Sequence, residues 1–247
     1  MRFLGIDLGW RSQPTGVCAL EWQNQQLVMV ALDRCETIPE ILDWIQTHAH
    51  QSTGIAVDAP TIITNPTGMR PCDRLTHVHF GKYDAGCYPA NLGRPFAQRT
   101  IKFAEALLDL GFAHAPTIVP QSEGRWQIEV FPHPATVHLF GLGKIIKYKK
   151  GRLSDRCQGL TQLYTYIKHY LPQRYPPLAV SGLFLELQVP PLAELTGKQL
   201  KSIEDKLDSI VCAYVCAHWW YWGLAKNVVL GDGQTGFIVV PQPLADS

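Results

Sequence analysis

Five acidic residues stand where acids are costly. Asp7 closes the apolar run RFLGI, and Asp58 closes GIAV. A carboxylate at the tip of a buried strand needs a partner to offset its lost hydration. Glu129 lies in WQIEVF, another apolar stretch. Asp205 and Asp208 are three residues apart in KSIEDKLDSIVCAYVCAHWWYW, so on a helix they share one face. The helix turns apolar beyond them, which directs Asp208 toward the core. Like charges brought together out of water repel each other, and a divalent cation relieves both problems. Hard oxygen ligands favour Mg2+ or Mn2+ over zinc. Carboxylates converging from several elements can hold two such ions about 4 Å apart, an arrangement suited to phosphodiester cleavage.

The elements that must position these acids follow from periodicity. Residues 1–8, 15–23 and 25–34 read as three strands, the last two joined by a polar turn. Residues 37–51 read as a helix capped by Thr37, and 54–60 as a compact strand of parallel-sheet type. Residues 60–95 are punctuated by Pro and Gly and read as a long irregular insertion. Residues 95–112 form an amphipathic helix, 126–134 a strand, 156–172 a helix and 173–197 a proline-rich connector. Residues 198–223 form the longest helix, and 227–241 a hairpin turning at Gly-Asp-Gly.

This order, with acids ending the first and fourth strands and another pair on a late helix, resembles the ribonuclease H-like fold. The motifs GIDLGW, AVDAP, MRPCDR, IEVFPHPA and DKLDSIVCAYVCAHW are together similar to domain-of-unknown-function family 429, whose members are predicted ribonuclease H-like nucleases. The DxxD also resembles the last acidic pair of Holliday-junction resolvases. The resemblance implies one α/β domain over residues 1–247. Its mixed five-stranded sheet would have the order 3-2-1-4-5, helices on both sides, an insertion over about 60–124 and a C-terminal hairpin. It further implies a two-ion nuclease acting on DNA or RNA, with Asp7, Asp58, Glu129, Asp205 and Asp208 as catalytic acids. Asp7, Asp58, Asp205 and Asp208 would hold two Mg2+ or Mn2+ ions. Asp7 has a bland alternative as a turn residue, Asp205 as a solvated helix acid, and Glu129 as an ion-pair partner of Arg70 that anchors the insertion.

Other features are weaker. Lys144, Lys147, Lys149, Lys150, Arg152 and Arg156 form the densest basic run. It reads as a solvated loop or as a phosphate-backbone contact, with Tyr148 able to stack on a base. Arg70, Lys147, Lys149, Lys150 and Arg152 are the substrate-binding candidates. Cys72, His77, His79 and Cys87 are close enough for a zinc site, although the spacing fits no standard finger. Trp219, Trp220 and Trp222 read as packing or as the contact of a homodimer. His133 reads as a helix-start residue near the site.

Composition is that of an ordinary globular chain of 247 residues, 46% apolar and 17% charged. A net charge of +1 excludes a generic polycation, so any nucleic-acid contact must be local. Seven scattered cysteines without a CxxC, and no secretory leader pattern, lead to the expectation of a reducing cytoplasm. No apolar run is long enough to predict a membrane span. Two other functions share the architecture. GIDLGW resembles the first phosphate loop of actin-like ATPases and sugar kinases, with GDGQTG (231–236) as the one late candidate for a second loop. A catalytically inactive nucleic-acid-binding protein of the same fold is the other.

Overall fold

The computed structural model describes residues 1–10, 14–187 and 196–243. Its centre is β1 (Arg2–Asp7), paired antiparallel with β2 (Thr15–Gln23) and parallel with β4 (Thr53–Val57). β3 (Gln26–Cys35) returns alongside β2 through a tight turn in which Asn24 and Gln25 both adopt positive φ. That conformation suits the twist of a two-residue hairpin. β1 and β4 are buried on both faces, which is why their sequences are apolar throughout rather than alternating.

β6 (Arg125–Glu129) adds in parallel beside β4, and the two-residue β5 (Ala113–His114) adds outside it. The sheet therefore runs β3-β2-β1-β4-β6-β5. This is the ribonuclease H-like order expected from the sequence, with one extra short edge strand. β5 has too few residues to carry a periodic signal.

Two helical layers cover the sheet. On one face α1 (Ile38–His48) and α3 (Ala97–Asp109) bury Ile41, Trp44, Phe103 and Leu107 against Leu4, Ile6, Ile55 and Val57. Thr37 caps α1 by accepting from Glu40 N. On the other face lie α4 (Pro132–Phe140), α5 (Leu153–Tyr170) and α7 (Gly197–Trp222). A short α6 (Leu183–Glu186) falls in the expected connector, whose residues 188–195 lie outside the described ones.

α7 approaches the sheet closely because two strand positions lack a side chain. A Cβ at Gly5 would overlap Ser209 O and Ala213 N, and one at Gly16 would overlap Asp205 O. Glycine inside a strand often marks such close backbone approach. The consequence is positional: the acidic turn of α7 lies directly on the β1–β2 pair that ends at Asp7.

The insertion is less irregular than its composition suggests. It contains α2 (Pro71–Phe80), which starts at Pro71 in the first helical turn and packs Cys72 and Phe80 against Leu230, Ile238 and Val240. Those three belong to the C-terminal hairpin, β7 (Asn227–Asp232) and β8 (Gly236–Pro241). Trp219 and Trp220 are buried within their own chain, and Trp222, half-buried, donates to Tyr175 O. Among the described residues no helix is long and apolar enough to cross a membrane.

Candidate active site

Strand register sets the first two acids side by side. Ile6 is level with Val57 in the parallel β1–β4 pair, and Asp58 N donates to Ile6 O at 2.8 Å. Asp7 and Asp58 are the next residues on each strand, close enough that each shifts the other's titration. They emerge at the carboxyl ends of neighbouring parallel strands, where open α/β sheets form binding crevices. A cleft of about 780 Å³ opens there, with Asp7, Asp58, His133, Lys149 and Lys150 among its walls.

Burial pushes the carboxyls of Asp7 and Asp58 well above the usual range. Lys149 opposes the shift, while Asp208 and, for Asp7, Asp58 add to it. Neither carboxylate has an ion pair within 4 Å among the described residues, so the pair is left under-neutralised.

The helix acids are placed differently. Asp208 is fully buried; Tyr148 Oη donates to its Oδ1 at 2.7 Å and Lys149 Nζ lies 2.8 Å from its Oδ2. Asp205 is held by Arg34 Nε at 2.9 Å and by Lys201 Nζ at 2.7 Å. Its neighbour Glu204 takes Arg156 and a second contact from Lys201. Both acids of the DxxD therefore already have cationic partners. Burial alone would depress the Lys149 ammonium, but Asp208, Tyr148, Asp7 and Asp58 hold it well above its ordinary range.

Glu129 lines the same cleft and adds to the shift of Asp58, but its carboxylate is already engaged. It is level with Val57, one step behind Asp58. It meets Arg70 in a bidentate pair, with Nη2–Oε1 at 2.6 Å and Nη1–Oε2 at 2.8 Å. Arg70 also grips Asp73 at 2.7 Å and donates to Ile62 O at 2.9 Å, while Asp73 Oδ2 accepts from Ala90 N. Glu129 is pushed up by burial and drawn back by Arg70. Burial would lower Arg70, but Glu129 and Asp73 keep it above its normal value.

Arg70, expected at the substrate, is thus buried and bound to two carboxylates that tie the insertion to the sheet. Fork geometry suits it to that role. Tyr148, able to stack on a base were the basic run a nucleic-acid contact, is buried against Asp208. Lys149 stands among the carboxylates rather than along an outer surface. Lys150 and Arg152 are exposed, and Lys144 and Lys147 pair with Asp84.

His133 lines the cleft with its ring 5.5 Å from that of Tyr148. Burial and then Lys149 push its imidazole down to about 4, so it is neutral near pH 7. Lys201 was missed in the sequence, although its spacing of three and four residues from Glu204 and Asp205 is the helical ion-pair signal.

Among the described residues no group of three or more His, Cys, Asp and Glu is arranged to hold a metal. For Cys72, His77, His79 and Cys87 the reason is visible. Cys72 is buried beneath the hairpin, and His77 Nε2 bonds to Cys87 O at 2.7 Å. The open pair at the strand tips does fit a hard cation, because Asp7 and Asp58 offer adjacent carboxylate oxygens that have no ion pair within 4 Å among the described residues. Residues 231–236 form a hairpin turn in which Asp232 Oδ1 accepts from Gln234 N and Thr235 N. This is a β-turn pinned by its own aspartate, not a second phosphate loop.

The sheet order and the carboxylate-floored cleft define a ribonuclease H-like α/β domain. Residues 5–229 match the family described as Protein of unknown function (DUF429), and the chain belongs to that family. A search of curated proteins gives no match. Among solved structures, the chain is similar to the Fowlpox virus resolvase in complex with its substrate Holliday junction DNA. The identity is 10%, with 92% of this chain and 100% of that chain covered at a TM-score of 0.39. It is also similar to T. thermophilus RuvC in complex with a Holliday junction substrate, at 8% identity, 88% and 97% coverage and a TM-score of 0.33.

Proposed function

We propose that this protein is a divalent-cation-dependent phosphodiesterase acting on DNA or RNA, with Asp7 and Asp58 as the cation ligands. The observation that supports this reading is the charge imbalance at the strand tips. Among the described residues every other acid of the cluster has a cationic partner within 4 Å, whereas Asp7 and Asp58 have none and feel the more distant fields of Lys149 and, for Asp7, Lys201. The chemistry that Mg2+ or Mn2+ supplies there is a lowered water pKa and neutralisation of phosphoryl charge.

The remaining residues have roles of their own. Asp208 anchors Lys149, whose ammonium faces the cleft and is placed to draw in a phosphate. Lys150 and Arg152 extend that positive edge, and Lys147 adds to it when it leaves Asp84. Neutral His133 is available to exchange a proton with water or with a leaving oxygen. Asp205 holds Arg34 and Lys201, fixing the acidic turn of α7 over β1. Arg70, Asp73 and Glu129 fix the insertion that forms the far wall of the cleft. Two open carboxylates suffice for one ion; a second ion would have to take Asp208 from Lys149.

The test is incubation with labelled single-stranded, duplex, hybrid and branched nucleic acids in Mg2+ or Mn2+, beside an Asp7→Asn variant. Cleavage by the parent and not the variant is expected. No cleavage with any substrate and either ion, or equal cleavage by the variant, would remove this reading.

A further inference from the structure

The mouth of the cleft carries an aromatic cluster that the carboxylate chemistry does not use. Trp10 follows β1 by three residues and is 37% exposed; Tyr88 comes from the insertion and is 56% exposed. Both line the cleft that contains Asp7 and Asp58. Phe96, buried just before α3, anchors them from below, with its ring centroid 4.6 Å from that of Trp10 and 6.3 Å from that of Tyr88. Trp10 and Tyr88 meet edge to face at 5.8 Å. The Arg94 guanidinium lies over the Tyr88 ring at 4.9 Å and is itself fixed by donating to Pro89 O. Arg99 donates to Gly9 O at 2.9 Å and fixes the backbone that presents Trp10.

Packing explains the buried Phe96 but not two large rings left partly exposed over a cleft. Aromatic faces and a guanidinium plane beside lysines are the recognition chemistry of an unpaired base on a phosphate backbone. Three residues separate Trp10 from Asp7, a reach of at most about 11 Å. Stacked nucleotides advance about 3.4 Å each along a strand, so a base on this platform lies within about three nucleotides of a phosphate at the strand tips. Bases inside a duplex have both faces covered and cannot use it.

We propose that Trp10 and Tyr88 form a stacking platform for unpaired nucleobases, so that the substrate is a nucleic acid that is single-stranded beside the cleavage site. The choice of polymer rests on the phosphodiesterase reading above; the platform is tested by binding alone.

Fluorescence anisotropy with the Asp7→Asn chain in EDTA measures affinity for a labelled single strand, for the same strand carrying abasic sites, and for a blunt duplex, with gels of the recovered strands checking that none is cut. The intact single strand is expected to bind most tightly. Trp10→Ala and Tyr88→Ala should each weaken that binding roughly ten- to hundred-fold, and Trp10→Phe should restore most of it. With the abasic strand the alanine variants should match their parent. Melting curves identify any variant that fails to fold; should Trp10→Ala do so, Tyr88→Ala and the abasic comparison decide the matter.

Equal affinity for duplex and single strand, unchanged affinity in the alanine variants, or no binding to any strand overturns the platform. Cleavage by the wild-type chain with unchanged affinity in the alanine variants removes the platform and leaves the phosphodiesterase. Aromatic-dependent binding without cleavage in Mg2+ or Mn2+ does the reverse.

Discussion

Lys149 Nζ stands 2.8 Å from Asp208 Oδ2, and Asp208 is fully buried while Lys149 reaches the cleft. The ammonium therefore does for the buried helix acid what a cation is proposed to do for Asp7 and Asp58. Lys149→Met should leave Asp208 held by Tyr148 alone, with two further carboxylates nearby. Removing one member of a buried pair is expected to lower stability by about 3 kcal/mol. Because the defect is uncompensated negative charge, Mg2+ should recover part of the loss. Chemical denaturation in EDTA and in Mg2+ measures both effects. A loss that Mg2+ leaves unchanged would show that the charge at this site is not what fails.

Glu129→Gln separates two roles for one strand acid. The structure joins Glu129 to Arg70 and Asp73, so the variant should lose about 3–5 kcal/mol through a buried guanidinium left short of charge. Limited proteolysis should show the earliest cuts in the insertion, around residues 62–90, which this triad holds. Cation-induced thermal stabilisation should persist, because both Glu129 oxygens are taken by Arg70 rather than open to an ion. Its disappearance in an otherwise folded variant would return Glu129 to the ligand set.

Asp58→Asn should raise stability in EDTA while removing activity. Burial, with Asp208 adding to it, pushes Asp58 from 3.8 up to about 7. Between those values the folded protein keeps a proton that the unfolded chain has lost, so stability falls as pH rises through this window. Asparagine carries no such proton. The stability difference between Asp58→Asn and wild type should therefore grow from pH 4 to pH 7 and then level off. Denaturation series across this range provide the measurement, and a flat difference would mean that Asp58 is ionised throughout.

What could be read in the sequence follows from what each signal depends on. Asp7 and Asp58 were legible because each ends an apolar run, and parallel neighbours place their carboxyl ends together. The acidic turn of α7 was legible from helical spacing, although its nearness to β1 depends on Gly5 and Gly16, whose meaning is tertiary. Glu129 could not be separated from the cluster, since its capture by Arg70 is a tertiary contact. Lys149 and Tyr148 lie in a stretch without periodicity, so no pattern distinguishes the lysine that turns inward from those that stay in water. Helix α2 was hidden by the prolines and glycines around it, one of which, Pro71, begins the helix rather than breaking it.

His218 should give the opposite pH dependence. It is buried, its Nδ1 contacts Asn227 Oδ1 at 2.8 Å, and burial pushes it down to about 4. The unfolded chain takes up a proton near pH 6.5 that the folded state refuses until about pH 4. Stability is thus lost as pH falls through this window, by about 3 kcal/mol. His218→Gln, which keeps an amide partner for Asn227, should remove that contribution. Asp58 acts in the same range with the reverse sign, so only variant-minus-parent curves resolve either one. A His218→Gln curve parallel to wild type would show that this imidazole titrates normally.

Gly5→Ala tests whether the closeness of α7 to β1 assembles the site. The added methyl would overlap Ser209 O and Ala213 N, which are backbone atoms of a helix and cannot rotate aside. Either the helix shifts or the strand bends, at a cost of about 3 kcal/mol. Both responses move the turn carrying Asp205 and Asp208 relative to Asp7. Cation affinity should fall even under conditions where the variant remains fully folded, because the carboxylates of Asp205 and Asp208 move away from the strand-tip pair and their negative field over the ion weakens. Calorimetric titration of Mn2+ into the folded variant measures this directly. Unchanged affinity alongside reduced stability would mean that Asp7 and Asp58 bind the ion without help from the helix.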